Sequence, residues 1–120
     1  MARCDQGYLC EVCGDEVDGV AESDLYLRFV IGEVKAGQLL GTPERHLRCN
    51  PVLAQFIDDP AFEPVTVEGD FDRRLYSASD NAKRVMLVTR GWKRLQELAA
   101  LESPIPLSDY PLRADEAAKP

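Results

Sequence analysis

Two short stretches carry residues suited to binding a soft metal ion. In CEVCGD, Cys10 and Cys13 stand with two residues between them; in HLRC, His46 and Cys49 do the same, thirty-two residues further on. Zinc selects thiolate sulfur and imidazole nitrogen and closes a structural site with four such ligands. A CxxC turn closed by a glycine, here Gly14, can aim two thiolates at one ion. His46 is the only histidine among 120 residues, and it lies three positions before a cysteine. The expectation is one structural zinc held by Cys10, Cys13, His46 and Cys49. Two other readings stay open for the thiols. They are a scattered reduced set or a redox dithiol, although a thioredoxin-like CxxC should follow a buried strand and open a helix. Cys4 is the spare cysteine. It is a free thiol or a replacement for His46, and His46 is preferred because its spacing pairs it with Cys49.

Other chemistries find little to stand on. A catalytic zinc keeps an open position, which four protein ligands do not leave, and the sequence has no HExxH. A Ser-His-Asp or Cys-His site would need the one histidine. Neither GxGxxG nor GK[ST] occurs, and no carboxylate pair stands out by spacing. The protein is expected not to be an enzyme.

The elements that must position the four ligands read as follows. DLYLRFVIGEV alternates Leu25, Leu27, Phe29 and Ile31 against Tyr26, Arg28 and Val30, a period of two that predicts a strand. A short helix capped by Ser23 is the alternative. Asn50 followed by Pro51 reads as a helix N-cap and first position, and Val52, Leu53, Phe56 and Ile57 form its apolar face until Pro60. That start would place the Cys49 thiolate at the positive end of a helix. A short strand is expected around Val65 and Val67, and Pro64 beside it suits an edge position. The longest helix is expected after a cap at Ser79 or Asp80, with Val85, Val88, Trp92, Leu95 and Leu98 or Ala99 in one stripe. Gly91, Val88 and Thr89 are weak helix formers, so 85–91 also reads as a strand. Trp92 fits the stripe and is read as core rather than as a stacking platform.

A CxxC turn, an intervening β segment and a second ligand pair leading into a short helix resemble a treble-clef-type zinc finger over about residues 8–57. The H-x2-C pair is also similar to that of LIM-like modules. The resemblance implies that Cys10, Cys13, His46 and Cys49 are structural ligands. The expected fold class is α+β: a small zinc-stabilised β-rich module, a short helix and a longer C-terminal helix. In domain terms, 1–60 is the zinc-binding module and 61–103 a helical extension packing on it. The remainder, 104–120, is a proline-rich tail, extended and partly mobile.

The net charge of −7 argues against nucleic-acid binding through the whole surface. The charge is uneven, however, with bases concentrated in 73–94. Another protein is therefore the expected partner, and the function an interaction or regulatory adaptor. The alternative is a nucleic-acid-binding finger that uses Arg73, Arg74, Lys83, Arg84, Arg90, Lys93 and Arg94. No apolar run reaches the ~20 residues that span a bilayer, and the N-terminal stretch lacks a signal-like apolar segment. The expected location is a reducing cytoplasm, where CxxC favours metal over disulfide.

Overall fold

The computed structural model describes residues 9–17, 19–39 and 41–112. Helical periodicity in the second half of the chain becomes one helix of 22 residues, here α3 (Ala78–Ala99). Its cap is Ser77, whose Oγ accepts the Asp80 N–H at 3.1 Å, two residues ahead of the earliest cap the sequence suggested. Val88, Trp92, Leu95 and Leu98 are buried on one face and Val85 is partly buried, whereas Ala99 is exposed. The helix runs unbroken through 85–91, so the strand alternative there is excluded. Trp92 packs edge-on to Phe62, with ring centroids 5.9 Å apart, as a core residue.

The segment expected to be a strand is a helix, α1 (Asp24–Val30). Ser23 caps it, its Oγ accepting the Tyr26 N–H at 3.1 Å. The reason lies in burial. Leu25, Tyr26, Leu27, Phe29 and Val30 are all buried, whereas a strand with one buried face would leave Tyr26 and Val30 outside. A helix that is apolar nearly all round sits inside its protein. Gly91 makes the crossing with α3 possible. A Cβ built there would lie 2.4 Å from Ile31 Cγ2 and 3.0 Å from Leu27 Cδ1, so only hydrogen fits between the two elements.

The expected α+β class with a β-rich module is therefore wrong. Among the described residues there are no strands, only two isolated antiparallel bridges, Leu9 with Glu16 and Ser23 with His46. Val65 and Val67 lie in chain without a ladder. The sequence pattern supplied alternation, but a strand also needs a neighbour, and none of the described residues pairs with this segment. After the second ligand pair comes α2 (Pro51–Ala54), with Pro51 at its first position. Asn50 makes no side-chain cap there; its amide turns instead to Asp24 Oδ1, 2.8 Å away.

One apolar cluster joins α1, α2 and α3, and Ile105, Leu107 and Tyr110 pack against it. Residues 104–112 are drawn back along α1 and α3. The Leu112 N–H donates to the Val30 carbonyl at 2.9 Å, and Arg94 donates to the carbonyls of Tyr110 and Asp109. Tyr110 lies against Tyr26 and Phe29, at 6.0 and 6.3 Å between centroids. The part of the tail read as mobile beyond 112 lies outside the described residues.

Candidate metal centre

The first ligand pair sits in a tight turn. The Leu9–Glu16 bridge closes its base, the Cys10 N–H donates to the Asp15 carbonyl at 2.8 Å, and the Gly14 N–H donates to the Cys10 carbonyl at 3.0 Å. Gly14 has φ 81°, the left-handed conformation that favours glycine. Inside this turn the Val12 N–H points at Cys10 Sγ, 3.4 Å away. The second pair occupies a 3-10 turn, Leu47–Cys49, with His46 just ahead of it and the Cys49 N–H donating to the His46 carbonyl. The Glu11 N–H, donating to the Glu44 carbonyl at 2.9 Å, links the two pairs through the main chain, and the bridge between Ser23 and His46 ties the second pair to the start of α1.

As a result one ligand atom from each of Cys10, Cys13, His46 and Cys49 lies within 4.8 Å of the other three, a group that could hold a metal ion. His46 Nδ1 is 3.3 Å from Cys13 Sγ and 3.8 Å from Cys49 Sγ. Tetrahedral ligands at about 2.3 Å (sulfur) and 2.0 Å (nitrogen) stand roughly 3.5 Å apart for nitrogen and sulfur and roughly 3.8 Å for two sulfurs, so the observed spacings suit one shared ion. The other ring nitrogen, Nε2, lies 2.8 Å from the Glu16 carbonyl oxygen. A carbonyl only accepts, so Nε2 carries the hydrogen and Nδ1 keeps its lone pair for the cluster. A carbonyl partner of this kind fixes ring and tautomer in metal-binding histidines.

The electrostatics of the four groups are those of sulfurs crowded together. Burial raises the Cys10 thiol. The N–H groups of Cys13, His46 and Val12, together with the Cys49 thiol, outweigh that and bring its pKa down to about 6. Cys49 moves the other way, to about 12, pushed up by burial and then by hydrogen bonds and charge from Cys10 and Cys13. The expectation that the helix start would favour a thiolate at Cys49 is thus corrected. A helix of four residues has little dipole to offer, and the neighbouring sulfurs decide. His46 is raised: burial lowers it, but the Glu16 carbonyl and Cys10 favour the cationic ring more strongly. A bound dication would reverse this order by favouring thiolates and neutral imidazole.

Six residues that sequence reasoning did not assign to the site hold it against the helices. Asp24, fully buried at the start of α1, accepts from Asn50 Nδ2 at 2.8 Å and from Arg28 Nε at 3.0 Å, and stands 3.3 Å from Arg45. Its own N–H donates to the Arg45 carbonyl at 2.8 Å. Buried Glu44 accepts from Ser23 Oγ at 2.8 Å. Burial raises the carboxyl pKa of both acids. The available signal was Ser-Asp at 23–24, a helix start whose polar groups flank the second ligand pair only after folding. Cys4 lies outside the described residues.

The basic segment is spread over several elements. Arg74 pairs with Asp72, Arg84 with Glu33, Arg94 with Glu97, and Lys93 stands 3.9 Å from Asp59. No helix among the described residues is long and apolar enough to cross a membrane. Comparison of the chain with known protein families, curated proteins and solved structures gives no match.

Proposed function

We propose that Cys10, Cys13, His46 and Cys49 bind one zinc ion in a structural role, and that the protein works through contacts with another protein rather than as an enzyme. The convergence of the four ligand atoms carries this reading, together with the Glu16 carbonyl that leaves His46 Nδ1 free to ligate. Three sulfurs and one nitrogen suit zinc over harder cations, and four protein ligands leave no open position for substrate. The likeness to treble-clef fingers rests on the CxxC turn and the second pair before α2; the segment between them is helical, unlike the β segment of that family. Ion pairs at Arg74, Arg84 and Arg94 compete with any nucleic-acid phosphate for those side chains, which favours a protein partner over the nucleic-acid alternative.

Metal analysis of purified protein tests the proposal. One zinc per chain is expected. Cys10→Ser and His46→Ala should each lower it, and Cys4→Ser should leave it unchanged. Fully folded protein without metal would refute the structural role, and loss of zinc on Cys4→Ser alone would reassign the fourth ligand.

A further inference from the structure

The segment 63–68 is neither helix nor paired strand, although its sequence, EPVTVE, alternates as a strand does. Val65 and Val67 are half-buried, with Val65 packed on the apolar core, whereas Thr66 and Glu68 face solvent. Among the described residues, no hydrogen bond reaches the backbone of 63–68. The segment is nevertheless anchored on both sides. Phe62 is buried against Trp92 before it. After it, Gln55 donates to the Phe71 carbonyl at 2.7 Å and accepts the Arg73 N–H at 2.9 Å. A stretch with strand alternation, fixed facing and unused N–H and carbonyl groups has what an incoming strand needs.

The surroundings describe what would fit. A cavity of about 380 Å³ lies alongside; Ile57, Phe62, Val65 and Val67 give it an apolar wall, and Asp58, Asp59 and Asp72 line it together with Arg73 and Arg74. Arg74 is already held by the Asp72 carboxylate. Residues 58–72 include Asp58, Asp59, Glu63, Glu68, Asp70 and Asp72 and no base, and four of the six (Asp58, Glu63, Glu68 and Asp70) are exposed. Apolar side chains of an added strand would meet Ile57, Phe62, Val65 and Val67 in the cavity, and basic ones would meet Asp58 at the cavity wall and the exposed Glu63 and Glu68 beside it. A second copy of this acidic chain would bring like charge to the same edge. We infer that 63–68 receives an extended, basic segment of a partner protein as an added strand. This gives the protein-contact reading a surface and does not depend on the metal.

The probe is a blocked decapeptide of alternating valine and lysine, with its valine–glutamate counterpart as control, titrated into full-length protein of measured zinc content. The lysine peptide should bind at least about tenfold more tightly, and amide hydrogen exchange at Val65, Thr66 or Val67 should slow on binding. Successive N–H groups face opposite edges of an extended chain. Either Thr66→Pro or Val67→Pro should therefore weaken binding by about tenfold or more. Glu63→Lys with Glu68→Lys, which leaves the backbone intact, should shift preference toward the glutamate peptide. Unchanged exchange, equal binding of the two peptides, or full binding by both proline variants would overturn the inference. So would a concentration-dependent dimer abolished by the same prolines, which would make a second copy the occupant. Purified, folded protein that contains no zinc yet binds the peptide in this way would refute the metal reading through its zinc content and leave this inference standing.

Discussion

Around Gly91 the molecule is held by apolar contact, whereas around His46 it is held by polar atoms aimed at particular partners. Where α1 crosses α3, Leu27, Val30 and Ile31 close on a glycine, and Val88 and Leu95 nearby are fully buried. Around the ligands, Val17 and Leu47 are buried, but Cys13 and its turn neighbours 11–16 are exposed. Here order comes from two isolated bridges, the Asp24 and Glu44 hydrogen bonds and the convergence of three sulfurs with one ring nitrogen. Packing is non-directional and survives small shifts. Ligand geometry does not, so the two regions should fail separately.

The largest effect tests that separation. Removing the metal with a chelator, or by Cys49→Ser, should abolish the slow amide exchange of 9–17 and 41–50. Structural zinc supplies on the order of 10 kcal/mol in small metal domains. The helical signal of α3 should remain in large part, because its contacts with α1 do not pass through the ligands. Simultaneous loss of all helicity would show that the two regions form one cooperative unit.

Next comes the joint between them. Asp24→Ala leaves Arg28, Arg45 and Asn50 without their shared partner, and about 3–5 kcal/mol is the usual loss when one side of a buried charge network is deleted. Denaturant unfolding would measure it. Burial places the folded pKa of Asp24 above that of an ordinary aspartate, with Arg28, Asn50 and Arg45 only partly opposing it. The folded state therefore holds this proton more tightly than the unfolded chain. The stabilisation from that difference is fully present below the unfolded pKa and is lost as pH rises through the raised folded value. Relative to Asp24→Asn, wild-type protein should gain stability as pH falls across that window. A difference that does not vary with pH would remove burial as the cause.

A smaller effect is expected at the apolar crossing. In an isolated helix Gly91→Ala would gain about 1 kcal/mol of propensity. Here the new methyl meets Ile31 Cγ2 at 2.4 Å, and overpacking typically costs about 1–3 kcal/mol. Thermal unfolding should show net destabilisation with zinc content unchanged; a stabilised variant would mean that Ile31 moves aside freely. Smallest is Glu33→Gln, which removes the Arg84 ion pair while both side chains remain partly in water. Such pairs contribute about 1 kcal/mol at most, and a larger loss would mark the pair as part of the α1–α3 packing.

The amino-acid sequence by itself picked out the four residues that converge, Cys10, Cys13, His46 and Cys49, and the long helix. Cysteine and histidine at x2 spacing and an apolar stripe every three or four residues are properties of residues close along the chain. Ser77, just before that stripe, is the cap in place of Ser79 or Asp80, residues with the same local capping chemistry. The tertiary structure decided what local pattern leaves ambiguous. Leu25, Leu27, Phe29 and Ile31 alternate in a way that satisfies a strand, yet Tyr26 and Val30 are buried too, and only α3 passing at Gly91 makes room for an all-round apolar helix. Val65 and Val67 carry strand alternation with no pairing neighbour among the described residues. Asn50 has the side chain of a cap, but the buried Asp24 carboxylate claims its amide, because a buried charge needs a donor more than an exposed helix end does. Partners that are distant in sequence decide such contests, and the sequence does not display that distance.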